Sequence, residues 1–310
     1  MQSKKLTMHL WFDTQAKEAA EFYVATFGEV AGMRSEIQRV NTLEGTPSGT
    51  VDVVTFQILD QPFQAISAGP YFKLNPSISF MVNFDPSQDQ DAKARIDTVW
   101  AALSEGGKVL MPLDTYPFSE RYGWIEDKYG VSWQLILTKP EGEERPLIIP
   151  SLLFVGDVYG KAEEASDFYL SVFKNSKRGA LARYGAGREP DTEQAIMFTD
   201  FKLDDQWLVA MDSAHMHDFG FNEAVSLVVS CETQEEIDYY WEKLSAVPES
   251  EQCGWLKDKY GVSWQIVPSD MEEMMSEGTP EQMARVTQAF LQMKKFDIAK
   301  LRAVYEGKNV

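Results

Sequence analysis

GWIEDKYGVSWQLIL, Gly123 to Leu137, and GWLKDKYGVSWQIVP, Gly254 to Pro268, are near copies of one stretch within a chain of 310 residues. Each reads as strand, tight turn, strand. A short apolar run leads to Asp-Lys-Tyr-Gly, and alternation follows through Val131, Trp133 and Leu135 or through Val262, Trp264 and Ile266. The glycine supplies the positive φ that closes the turn. A hairpin kept this closely twice in one chain points to duplication, so the flanking sequence should repeat as well.

It does. Before each hairpin comes a helix with an apolar face, Ile96, Val99, Trp100 and Leu103 matched by Ile237, Tyr240, Trp241 and Leu244. Before that helix lies a strand, ISFMVNF from Ile78 or VSLVVSC from Val225, introduced by Asn75 or Asn222. Further out are strand pairs at Val51–Ser67 and Ala195–Asp212, turning at Leu59-Asp60-Gln61 and Asp204-Asp205-Gln206. Polar, glycine-rich segments separate them from a first helix in each copy. One carries Ala16, Ala19, Ala20, Tyr23 and Phe27, capped by Asp13-Thr14 and ended by Gly28; the other carries Ala162, Ala165, Tyr169 and Phe173. The strands LTMHLWF (Leu6 to Phe12) and Leu152-Leu153-Phe154-Val155 open the two copies. The copies differ most at Ser104–Gly123, longer than Ser245–Gly254 and apolar for a loop. It reads either as cover for a pocket or as a longer hairpin.

These limits give a first domain at 1–138, a charged linker at 139–147 (KPEGEER, Lys139 to Arg145, at its centre), a second domain at 148–268 and a C-terminal extension at 269–310. In the extension Thr279-Pro280-Glu281-Gln282 has the form of a capping box, and Met283, Val286, Phe290 and Met293 make a helical stripe. Such a methionine-rich face packs on the body or on a second subunit.

With 44% apolar and 25% charged residues the chain is of the soluble globular class. Its apolar runs fall short of a membrane span, and Met-Gln-Ser-Lys-Lys does not lead into a signal-peptide core, so a cytoplasmic location is expected. Two cysteines, Cys231 and Cys253, make no disulfide framework. A formal charge of −19 repels phosphate backbones, which sets nucleic acid aside as a partner.

The order strand, helix, three strands, twice per copy, resembles the vicinal oxygen chelate superfamily of glyoxalases, bleomycin-resistance proteins and dioxygenases. Closer still is the PhnB-like branch, whose sequences often carry the label 3-demethylubiquinone-9 3-methyltransferase. The matching residues are Phe22-Tyr23 and Phe168-Tyr169, the helices Asp97/Trp100/Leu103 and Asp238/Trp241/Leu244, and the GW-x-x-DKYGVSWQ hairpins. The resemblance implies an α+β fold of two tandem domains, each an incomplete barrel of paired βαβββ modules with a pocket inside its sheet. A single chain then forms an intramolecular pseudo-dimer.

In metal-dependent relatives a divalent ion on the inner sheet face is held by His, Glu or Gln from separate strands, with open positions left for substrate. The chain has three histidines. His9 lies on the first strand, near where some relatives place a ligand, against Leu152 in the second copy; packing is the simpler reading of it. His215 and His217 read as loop residues. Val53 and Phe198 fall where PhnB-like sequences can carry a ligand histidine, and neither can bind metal. Gln134 and Gln265, near the last-strand ligand position, read equally as pocket hydrogen-bonding groups or as structural amides. Trp124 and Trp255 are stacking surfaces for a planar ligand or core residues, whereas Trp133 and Trp264 face the opposite side or the core. Cys253 is a candidate nucleophile with no nearby histidine to activate it, and Tyr122 replaces it in the first copy.

The expected function is therefore binding of a small organic molecule in one or both pockets with no cofactor, through Trp124, Gln134, Trp255 and Gln265. The alternative is an enzyme of lyase, isomerase or dioxygenase type, with a divalent metal at His9 or acid/base help from a carboxylate, acting on a small oxygenated substrate. A third possibility is that one copy binds and the other is a structural partner. Methyl transfer lacks its glycine-rich strand-to-helix turn, since Gly106-Gly107 follows a helix.

Overall fold

The computed structural model describes residues 4–139 and 143–308, so the middle of the expected linker lies outside the described residues. The first module comprises β1 (Leu6–Phe12), α1 (Ala16–Ala25), β2 (Ser35–Thr46), β3 (Gly49–Ile58) and β4 (Gln61–Ser67); the second comprises β5 (Ile78–Phe84), α2 (Ala92–Ser104), β6 (Lys108–Tyr116), β7 (Ser119–Glu126) and β8 (Ser132–Leu137). In the other repeat β9 (Ile148–Phe154), α3 (Ala162–Val172), β10 (Ser176–Arg183), β11 (Ile196–Leu203) and β12 (Gln206–Asp212) make a third module. The fourth is short: β13 (Val225–Cys231), α4 (Gln234–Leu244), β14 (Trp255–Lys257) and β15 (Ser263–Pro268). Three helices follow, α5 (Met271–Glu277), α6 (Pro280–Phe290) and α7 (Ile298–Tyr305). Among the described residues no helix is long and apolar enough to cross a membrane.

Two mixed sheets result, and each pairs modules from different repeats. The seven-stranded sheet runs β14-β15-β13-β1-β4-β3-β2, joining the start of the first repeat to the end of the second. The eight-stranded sheet runs β10-β11-β12-β9-β5-β8-β7-β6. Antiparallel pairings of β1 with β13 and of β5 with β9 make the two seams. Each barrel therefore has two modules, as the resemblance implies, but neither repeat supplies both of its own.

The helices lie between the sheets and share one core. Tyr23 of α1, which packs on β3, reaches Trp133 of the other sheet at 5.3 Å, and Tyr169 of α3 stands in the same relation to Trp264 at 5.3 Å. Both tryptophans are fully buried, which places them in the core. In the hairpin turns, Gly130 and Gly261 take φ of +90° and +86°. The buried Asp127 accepts bonds from the amides of Tyr129 and Val131 and from the Trp133 indole; Asp258 does the same from Tyr260, Val262 and Trp264. The aspartates thus organise the turns as internal acceptors for buried donors.

Some local expectations are corrected. The polar segments after the first helices are the strands β2 and β10. As edge strands each buries only one flank, so their sequences stay polar. The N-cap of α1 is Gln15, not Asp13-Thr14, with Ser67 Oγ accepting the Ala16 amide at 3.0 Å, and the helix continues past Gly28 as a π turn over Thr26–Val30. Ser104–Gly123 becomes the β6–β7 hairpin at the edge of the eight-stranded sheet.

Among the described residues the short fourth module has no strand corresponding to β6, and the extension takes its place. Cys253 and Gly254 donate their amides to the carbonyls of Met293 and Lys294, both at 2.8 Å. The Gln234 side chain donates to the Phe296 carbonyl at 3.0 Å and accepts the Ile298 amide at 2.9 Å. Meanwhile α6 packs on β2, the opposite edge of the same sheet, and Arg39 pairs with Glu272 at 3.2 Å. The Thr279/Gln282 capping box is present. The extension therefore straps together the two edges of the seven-stranded sheet.

Candidate functional site

Alternation along each strand sends one set of side chains to the helix layer and the other to the concave face. On the eight-stranded sheet the middle of the concave face is occupied, and a recess of about 400 Å³ borders its β6–β7 end at Lys108, Leu110 and Glu126. Met81, Ile149, Trp207 and Val209 form a buried cluster of their own, with Ile136, Phe198 and Met211 against it. The linker residue Arg145 lies over the Trp207 ring, 3.7 Å from its centroid, and holds buried Asp200 through a 2.7 Å ion pair.

On the seven-stranded sheet the same face opens into a cavity of about 410 Å³. Its walls include Trp11 of β1, Val51 of β3, Ile66 of β4, Tyr71, Phe72 and Trp255 of β14. Phe290 and Leu291 of the extension complete the rim. Trp11 sits at the corner, near-perpendicular to Phe72 at 5.0 Å, Trp255 at 6.1 Å and Tyr71 at 6.4 Å. Its indole N–H is taken up by the Gly69 carbonyl at 2.8 Å, so the ring is fixed.

The swap separates the residues singled out from the sequence. Trp255, Gln265, His9 and Cys253 gather on the seven-stranded sheet, while Trp124 and Gln134 belong to the eight-stranded sheet. There Gln134 is satisfied internally, donating to Ser79 Oγ at 2.6 Å and accepting from the Tyr122 hydroxyl at 2.8 Å, and Trp124 donates to Ser132 Oγ at 2.8 Å. Gln265 donates to Ser226 Oγ at 2.9 Å, but Cys253 stands where Tyr122 would reach its carbonyl.

Register places His9 opposite Ser226 and Ser151 opposite Ser79. The counterpart of His9 is thus Ser151, one residue before the expected Leu152, which faces the helices. His9 is buried edge-on to Trp255 at 5.3 Å, its Nδ1 lacks a hydrogen-bond partner, and burial lowers its pKa to about 3. It is a neutral imidazole. Its neighbours on the face are an amide and hydroxyls, and among the described residues no three His, Cys, Asp or Glu side chains converge. This donor set does not fit a divalent ion, which needs several converging ligands. Cys253 lines the cavity in a left-handed conformation, φ 52°, and burial pushes its thiol up to about 11, away from the reactive thiolate. His217 bonds to Ser213 at 2.9 Å. Trp11, Tyr71 and Phe72 were not singled out from the sequence; LTMHLWF alternates, which is the signal that puts Trp11 on the face of His9.

The model of the family described as 3-demethylubiquinone-9 3-methyltransferase matches residues 4–136 and again 146–267. The chain belongs to this family, in two tandem copies. One member-like structure, a PhnB protein from Bacillus cereus with the same methyltransferase description, is 34% identical over 44% of this chain and 100% of its own, with a TM-score of 0.37. Glyoxalase I from Zea mays is 11% identical, covering 87% of this chain and 95% of its own with a TM-score of 0.52, a likeness of fold. No curated protein matches the chain. The two family copies thus carry the vicinal oxygen chelate fold, with their modules exchanged between sheets.

Proposed function

We propose that the chain binds a small, mostly apolar organic molecule in the cavity of the seven-stranded sheet without a metal, the eight-stranded sheet serving as its structural partner. The observation that carries this reading is the contrast between two equivalent concave faces. One is occupied at its middle by Met81, Ile149, Trp207 and Val209; the other leaves about 410 Å³ walled by aromatic rings, with Trp11 held in place by the Gly69 carbonyl. That volume falls in the ordinary range for ligand sites, and a pre-formed aromatic wall costs little ordering on binding. The neutral His9 and protonated Cys253 supply no activated base or nucleophile, which favours binding over turnover.

A thermal-shift and tryptophan-fluorescence screen of planar small molecules tests the reading. Hits should stabilise the protein, and Trp11→Ala or Trp255→Ala should abolish their effect while Trp124→Phe on the eight-stranded sheet does not. Hits that survive both cavity substitutions would sink the assignment.

A further inference from the structure

We infer that the ligand of this cavity is an organic cation, an alkylated or protonated amine with an apolar body; the inference rests on the binding reading above and names its chemical class. Two independent properties of the lining point that way. First, Trp11 forms adjoining walls with Tyr71, Phe72 and Trp255, with interplanar angles of 77°, 81° and 78°. All four rings border the same cavity, and an aromatic lining attracts a cation more strongly than a neutral group of the same size.

Second, the charged groups at the lining are carboxylates. Glu223 and Glu249 border the cavity, and among the described lining residues there is no lysine, arginine or histidine. Glu223 is mostly buried and bonded to Lys257 at 2.8 Å, so that pair is locally balanced. Glu249 is exposed at the rim and lies near the start of the β14 segment. A chain of formal charge −19 adds a long-range field that draws cations in and repels anions. An anionic ligand would meet the exposed Glu249 carboxylate and the aromatic rings, with the nearby Lys257 already held by Glu223.

The full chain is titrated by fluorescence and calorimetry with benzyltrimethylammonium, with its uncharged isostere 2,2-dimethylpropylbenzene and with benzenesulfonate. The cation should bind about tenfold more tightly than the isostere, the gain expected of a desolvated cation among aromatic faces. Glu249→Gln should weaken the cation about two- to threefold and leave the isostere unchanged. Glu223→Gln, which leaves Lys257 uncompensated, should weaken it further. Trp11→Ala should remove binding of both. Equal affinity for cation and isostere, both lost in Trp11→Ala, overturns the charge inference and leaves the binding reading standing. Preference for the sulfonate overturns the charge inference as well. Absence of binding by all three probes counts against both.

Discussion

The Tyr169 hydroxyl donates to Asp258 Oδ2 at 2.7 Å, joining a helix of one sheet's module to the hairpin of the other sheet. Asp258 is completely buried and accepts three further bonds, from Tyr260, Val262 and Trp264. Tyr169→Phe removes one donor to a buried carboxylate and should cost about 1.5–3 kcal/mol of stability in urea unfolding. A loss within experimental error would show that this bond does not tie the sheets together.

The same carboxyl gives a pH signature. Burial raises Asp127 and Asp258 from 3.8 to about 6, partly offset by their hydrogen bonds. Between those values the folded chain holds protons that the unfolded chain has released. The contribution of each group is therefore greatest below about pH 4 and is lost as pH rises through about 6, by roughly 1–3 kcal/mol per carboxyl. Unfolding free energies measured across this window should fall more steeply for the wild type than for Asp127→Asn/Asp258→Asn; parallel curves would contradict it.

The seams predict how a single repeat behaves. Residues 1–138 alone lack the partners of both β1 and β5, leaving two open seam edges. Since β5 and β13 are equivalent, a second copy can supply what is missing. The isolated repeat should sediment as a homodimer and unfold on dilution. A stable monomer would mean that the modules of one repeat can close on each other.

Asn75 and Asn222 make a matched pair at the same boundary. The Asn75 amide donates to the Gly220 carbonyl at 3.1 Å, and that of Asn222 to the Lys73 carbonyl at 2.8 Å. Each also accepts an amide at the start of its own segment, from Ser77 and Ala224. Alanine at either position should cost about 1–2 kcal/mol, measured by denaturant midpoint, and the double substitution should approach the sum.

At the strap, a Cβ on Gly254 would lie 2.5 Å from the Phe296 ring, and its φ is +83°. Gly254→Ala should destabilise by about 2–4 kcal/mol. Adding Phe296→Ala removes the collision but not the backbone strain, so thermal melts of the pair should show partial recovery relative to the sum of the singles. Simple additivity would place Phe296 away from this glycine in solution.

Much of the fold is legible along the chain because hairpins and amphipathic faces are local. Leu6–Phe12 alternates cleanly enough to give β1 its limits, and Thr279-Pro280-Glu281-Gln282 gives the start of α6. The edge strands β2 and β10 are hidden by their exposed flanks, and the offset of one residue between β1 and β9 arises because IIPSLLF has no regular alternation, Ser151 being its one polar residue. Of the site, His9, Trp255, Gln265 and Cys253 were visible as candidates. Tyr71 and Phe72, in the connection from β4 to β5, carried no periodic signal.

The repeated hairpin by itself determined the duplication, the turn chemistry and the family, since a glycine of positive φ, an acceptor aspartate and alternating apolar residues act within a few positions of one another. Only the tertiary structure decided which modules share a sheet and which concave face stays open. Alternation says that a strand face is covered, not by what: Val209 and Ile66 occupy comparable strand faces, yet one is sealed under Trp207 and Met81 while the other borders a cavity closed by a tail that the repeat does not contain.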